Sequence, residues 1–160
     1  MKRIGFYAGS FDPFTVGHLY VVKNALTLFD SVIIGIAHNP DKPNRRFDIK
    51  VMEAAIQKAM IDEELKDKVK VISYSGLTFK AARKNNATHL IRGLRNGMDY
   101  EYEDNLAHGN KKIGGYETLY FRSDSDFDYI SSSVVTELFK DGEDISKFVP
   151  KAIFDVITNL

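Results

Sequence analysis

Apolar residues recur along the chain in two rhythms. Residues 4–8 form a short apolar run, and after a turn-rich stretch Leu19, Val22, Ala25, Leu26 and Phe29 are spaced to fill one face of a helix. Residues 31–37 (SVIIGIA) have the unbroken β-branched character of a strand covered on both faces. Helical spacing returns in Met52, Ala55, Ile56, Ala59 and Met60, with Asp48 placed to cap it. Residues 69–74 read as a third strand, a short helix passes through Ala81 and Ala82, and 88–91 form a fourth strand. Beyond lie a glycine-bearing basic loop at 92–97 and a helix with Met98, Tyr102 and Leu106 on one face. A fifth strand at 117–121, a helix near 134–139 and a terminal helix after Pro150 complete the pattern. Strands alternating with helices predict an α/β fold, a doubly wound five-stranded parallel sheet with helices on both faces. No repeat or linker divides the chain, so residues 1–160 read as one domain.

Composition narrows the function classes. A chain of 160 residues, 44% of them apolar, can bury about 70% of the surface its unfolded form exposes, enough for a sizeable core. Twenty-two basic residues balance twenty-two acidic ones, so no overall field draws the molecule to nucleic acid or an anionic membrane, and neither is expected as a partner. Without cysteine there is no thiol catalysis and no disulfide. Met1, Lys2 and Arg3 lead straight into the first strand, without an apolar region of signal-peptide length or a run of about 18 apolar residues. A soluble, cytoplasmic protein is expected.

The polar clusters carry the chemistry. In open parallel sheets, ligands gather beyond the carboxyl ends of the strands, and the segments 9–18, 42–46, 92–95 and 127–133 each follow a strand. They should converge into one cleft supplying cations, hydroxyls and helix N-termini, the equipment of a polyphosphate site. His18 stands where the first helix should begin. Alone it would ordinarily be a cap, Lys42 a solvated lysine, Arg92 and Arg95 surface charges, and the serine run a helix start; occurring together after successive strands, they point to phosphate. Asp99 and Glu103, four apart on a helix, read as a solvated face, and no protein metal site is assigned. His38, His89 and His108 are scattered without zinc-like spacing and read as structural.

Specific motifs sharpen this. G-S-F-D-P-F-T-V-G-H at 9–18 resembles the T/HxGH signature of the nucleotidyltransferase superfamily, a Rossmann-like fold, and I-S-S-S at 130–133 resembles its second nucleotide motif. With L-I-R-G-L-R at 90–95, D-Y-E-Y-E at 99–103 and L-A-H-G-N at 106–110, the chain is similar along nearly its whole length to the phosphopantetheine adenylyltransferase family. The resemblance implies transfer of AMP from ATP to 4′-phosphopantetheine, giving dephospho-coenzyme A and pyrophosphate, with Mg2+ held mainly by ATP oxygens and water. It implies His18, Lys42 and Arg92 as the catalytic set, with His18 stabilising the transition state. It implies ATP contacts at Ser10, Phe11, His18, Gly93, Leu94, Arg95, Glu103 and 127–133, that is Phe127, Asp128, Tyr129, Ile130, Ser131, Ser132 and Ser133. Acceptor contacts fall to Ser10, Lys42, Thr78, Arg92 and Asn110, and the assembly to a homohexamer. Ala8 and Ser10 stand where the family commonly has proline and threonine, and serine lacks the methyl that restricts a threonine rotamer. A sister nucleotidyltransferase acting on nicotinamide mononucleotide or another phosphate acceptor, and a nucleotide-binding regulator without turnover, remain as alternatives.

Overall fold

The computed structural model describes residues 1–41 and 44–160. Five strands, β1 (Ile4–Gly9), β2 (Ser31–Ala37), β3 (Val69–Tyr74), β4 (His89–Leu94) and β5 (Thr118–Arg122), form one sheet in the order β3-β2-β1-β4-β5, every neighbouring pair parallel. Helices α1 (Val16–Ala25), α2 (Ile49–Asp62), α3 (Thr78–Lys84), α4 (Gly97–Gly114), α5 (Ser132–Lys140) and α6 (Lys151–Thr158) cover it. This is the expected doubly wound architecture.

Alternation along the strands divides the core. Tyr7, Val32, Ile34 and Ile36 join the larger cluster, which Val22, Ile56, Val135 and Ile153 fill from α1, α2, α5 and α6. Phe6, Ala8, Ile33 and Leu90 point to the opposite face and meet Ala82 of α3 in a smaller cluster. With thinner cover on that side, α4 keeps Met98, Tyr102, Leu106 and Ile113 exposed.

One boundary differs from the sequence reading in a way that matters. The first half of the basic loop expected at 92–97 is strand, because Arg92, Gly93 and Leu94 pair with Tyr120, Phe121 and Arg122 of β5. Pairing between β1 and β4 stops at Tyr7 and Ile91. Beyond that point the two strands separate at the switch in strand order, where a doubly wound sheet opens its crevice.

Candidate active site

The crevice is about 420 Å³ and lies at the carboxyl ends of β1 and β4. Its first wall is the turn from β1 into α1. Thr15 caps α1: its hydroxyl accepts from the His18 backbone N–H at 3.4 Å, and its own N–H donates to His18 Nδ1 at 2.9 Å. Histidine thus fills the reciprocal place that Glu or Gln takes in a capping box. Because Nδ1 receives a proton donor, the neutral ring carries its own hydrogen on Nε2. Burial first, then Arg92 and Arg95, lowers the His18 pKa to about 3, so the ring is a neutral N–H donor at physiological pH. It packs edge-on against Phe11, centroids 4.9 Å apart. Phe11 is buried with a left-handed φ of 46°, and a Cβ on Gly9 would come within 3.0 Å of its ring. Glycine at 9 is what lets this bulky residue fold back under the histidine.

Asp12 ties the turn to the β2–α2 connection. Its buried carboxylate accepts from the backbone N–H groups of Arg46 at 2.7 Å and Phe47 at 3.0 Å, while Arg45 donates to the Ser10 carbonyl at 2.7 Å. Arg46 reaches onward through Nη1 to the Asp12 carbonyl and through Nη2 to Ser133 Oγ, both at 2.9 Å. Ser132 Oγ donates to the Pro13 carbonyl at 2.8 Å. Ser131 caps α5 by accepting from the Val134 N–H. Three loops distant in sequence therefore share one polar seam.

The second wall is β4 and α4. Arg92 donates through Nε and Nη2 to both oxygens of the buried Glu103, at 2.7 and 2.5 Å, and through Nη1 to the carbonyl of Ala8, at 2.5 Å. That carbonyl stands just past the last β1–β4 pair, so the arginine spans the split in the sheet. Burial works to lower the Arg92 pKa, but Glu103 outweighs it and the guanidinium stays charged. Arg95 pairs in the same manner with Asp99, at 3.0 and 3.1 Å. Gly93 admits no side chain, since a Cβ would lie 2.9 Å from Val21 of α1.

A second hollow of about 310 Å³ adjoins the first; Ala8, Arg92 and Glu103 line both, and Thr78, Asn110 and Ile113 line the second alone. Thr78 Oγ1 lies 2.9 Å from the Tyr74 hydroxyl.

Of the residues singled out in the sequence, Ser10, Phe11, His18, Arg92, Gly93, Leu94, Arg95, Glu103, Phe127, Ile130, Ser131, Ser132 and Ser133 line the crevice. Asp128 and Tyr129 do not. Asp128 turns back to accept from Ser123 Oγ at 2.9 Å, and the exposed Tyr129 stacks edge-on with Phe148. Lys42 lies outside the described residues. Asp12, Thr15 and Arg46 were not assigned roles from the sequence. Thr15 was signalled by its spacing of three from His18, and Arg46 by its place in the basic segment 42–46, whereas Asp12 gave no sign that its carboxylate would meet backbone rather than solvent. Asp99 and Glu103 are not a solvated face: each is held by an arginine. Among the described residues no three histidine or acidic side chains come together as a metal site.

A cytidylyltransferase-like family model matches residues 6–138. A phosphopantetheine adenylyltransferase of Porphyromonas gingivalis is 41% identical over 94% of this chain and 95% of its own length. One from Wolbachia pipientis wMel is 40% identical over 99% and 93%. Among solved structures, a bifunctional NMN adenylyltransferase/ADP ribose pyrophosphatase from Francisella tularensis superposes with a TM-score of 0.72 at 16% identity, covering 99% of this chain and 49% of that one. At such identity the likeness is one of fold.

Proposed function

The chain belongs to the cytidylyltransferase-like family and, within it, to the phosphopantetheine adenylyltransferases, and from that premise we propose that it adenylylates 4′-phosphopantetheine with ATP, forming dephospho-coenzyme A and pyrophosphate. The observation that carries the reading is the paired cavity: a nucleotide-sized crevice joined, at Arg92, to a second hollow bearing Thr78 and Asn110. A donor and an acceptor can approach one point from two sides.

In the reaction an oxygen of the acceptor phosphate forms a bond to the α-phosphorus of ATP. The bond from that phosphorus to the α,β-bridging oxygen breaks, and its electron pair leaves with pyrophosphate. A phosphate monoester is already an anion near neutral pH, so no general base and no covalent enzyme intermediate are needed, and catalysis rests on positioning and charge stabilisation. His18 supplies a fixed neutral N–H toward the α-phosphate, and Arg92 at the junction draws the acceptor phosphate into line. Lys42, Ser10 and Arg95 complete the phosphate contacts, Thr78 and Asn110 the acceptor arm. Leu94, Phe127 and Ile130 offer apolar surface to the adenosine.

The chain's own carboxylates fit a magnesium ion that arrives on the triphosphate, not one held by protein: Asp99 and Glu103 are both engaged by arginines. When bound, the ion would neutralise phosphate charge. Residues 1–160 act as one nucleotidyltransferase domain in this reading. A cytoplasmic place belongs to this reading, and among the described residues no helix is long and apolar enough to cross a membrane. The homohexamer is the assembly in this reading, and the exposed Met98, Tyr102 and Ile113 of α4 offer an apolar face for contact between copies.

The test is pyrophosphate release with ATP and magnesium and, separately, phosphopantetheine, nicotinamide mononucleotide or no acceptor. Release with phosphopantetheine alone is expected. Release with nicotinamide mononucleotide alone would replace the acceptor, and none with either would leave a nucleotide-binding protein.

A further inference from the structure

Three arginines and two carboxylates line the nucleotide crevice. Arg92 is matched by Glu103 and Arg95 by Asp99, in each case through two guanidinium nitrogens. Arg46 is different. Among the described residues its guanidinium donates only to neutral oxygens, the Asp12 carbonyl and Ser133 Oγ. The Asp12 carboxylate itself is taken by the backbone N–H groups of Arg46 and Phe47 and lies 3.6 Å from Arg45 Nη2. Among the described residues no carboxylate is within ion-pair distance of the Arg46 guanidinium, and three of its five N–H bonds have no protein acceptor. With His18 neutral, the unbalanced positive charge of the described crevice therefore sits on Arg46.

Its place decides which phosphate meets that charge. Arg46 lines the crevice but not the hollow with Thr78 and Asn110, which Arg92 joins from the other side. In an in-line displacement the leaving oxygen departs opposite the attacking one. If the acceptor enters past Arg92, pyrophosphate must leave on the side away from it. There Arg46 is tethered to Ser133, whose N–H belongs to the first turn of α5, an end that favours anions. We infer that Arg46 is a further substrate-contacting residue, the cation that receives the β- and γ-phosphates of ATP and holds the departing pyrophosphate. Its two neutral tethers fix the plane of the fork without spending its charge, and its free N–H groups suit bidentate contact with phosphate oxygens.

The inference rests on the adenylyl-transfer reading, and the experiment separates the two. Arg46→Gln and Arg46→Lys are compared with the unaltered protein in the forward direction and in pyrophosphate-driven cleavage of dephospho-coenzyme A. For Arg46→Gln we expect the KM for ATP and that for pyrophosphate each to rise about tenfold or more, as for loss of one charged hydrogen-bond pair. The KM for phosphopantetheine should not move, and Arg46→Lys should recover part of the loss. A residue that only braces the loop would shift all three constants together, or lower the thermal midpoint with the constants unchanged. Either result overturns the assignment. Calorimetric titration with magnesium pyrophosphate runs in parallel. Should the unaltered protein form no product, the adenylyl-transfer reading fails, and the titration still decides Arg46: weaker binding in Arg46→Gln upholds it, equal binding refutes it.

Discussion

The two walls of the crevice hold their polar groups by different means. On the β1–α1 side, His18 and Asp12 are fixed by backbone N–H groups and by buried rings; Phe11 and Phe14 beneath them are 2% and 0% exposed. On the β4–α4 side, Arg92 and Arg95 are fixed by carboxylates from α4, a helix with an exposed apolar face. Backbone donors cannot leave with a ligand, so the first wall is ready before substrate arrives, as a transition-state donor must be. Ion pairs can exchange partners. An anion that engages Arg92 competes with Glu103, which makes the second wall the responsive one.

Breaking the deeper ion pair of the second wall should have the largest effect. Arg92→Met strands the Glu103 carboxylate, whose side chain is 9% exposed, and removal of one member of a buried pair typically costs about 3–5 kcal/mol. Urea unfolding should show a loss of that size. The double variant Arg92→Met with Glu103→Gln should regain most of it, while turnover stays absent in both. Equal stability of the single and double variants would mean that Glu103 does not depend on Arg92, and the contrast between the walls would collapse.

The first wall predicts the reverse separation of stability from activity. His18→Ala should lower kcat by about 10² to 10³, the usual cost of one preorganised donor, with a thermal midpoint little changed, and a steady-state pyrophosphate assay measures it. Near-normal turnover would remove His18 from the chemistry. The pH dependence follows from the ring's lowered pKa. The folded protein holds His18 neutral down to about 3, whereas the unfolded chain protonates it below its ordinary 6.5. This difference costs the fold nothing above 6.5 and destabilises it progressively as pH falls toward 3, by at most about 1.4 kcal/mol per unit. His18→Gln should flatten that decline, and kcat should show no histidine step near 6.5.

The same contrast explains what the sequence made legible. Strand and helix positions emerged because buried faces impose their periods on neighbouring residues, as in 31–37 and in the Met52 to Met60 stripe. The convergence of 9–18, 92–95 and much of 127–133 follows from parallel topology alone, since every parallel strand delivers the loop after it to the same edge. Interactions between distant segments left no such trace. Nothing local in Asp12 shows that it will clasp Arg46 and Phe47, and the spacing of Asp99 and Glu103 looks solvent-facing until β4 is extended through Leu94 to bring Arg92 and Arg95 beneath α4. The strand boundary is not legible because Gly93 is a poor strand former in isolation, and pairing with β5 overrides that preference.

The smallest effect belongs to the outer pair of the second wall. Burial works to raise the Asp99 carboxyl, but hydrogen bonds from the Arg95 side chain and backbone outweigh it and hold the group below the usual carboxylate range. Its stabilising contribution is therefore present above the ordinary 3.8 and fades as pH falls through the lowered value. Side-chain exposures of 38% for Arg95 and 24% for Asp99 leave the pair within reach of solvent, where such contacts are worth roughly 0.2–1 kcal/mol. Asp99→Asn should cost no more than about that at pH 7, and about 0.5 M salt should erase much of the difference by screening. A loss of several kcal/mol, insensitive to salt, would place Asp99 with Glu103 as a buried anchor. A small, salt-sensitive loss would instead show that the second wall is graded, with Arg92 anchored deep at the meeting point of donor and acceptor and Arg95 held lightly where the nucleotide enters.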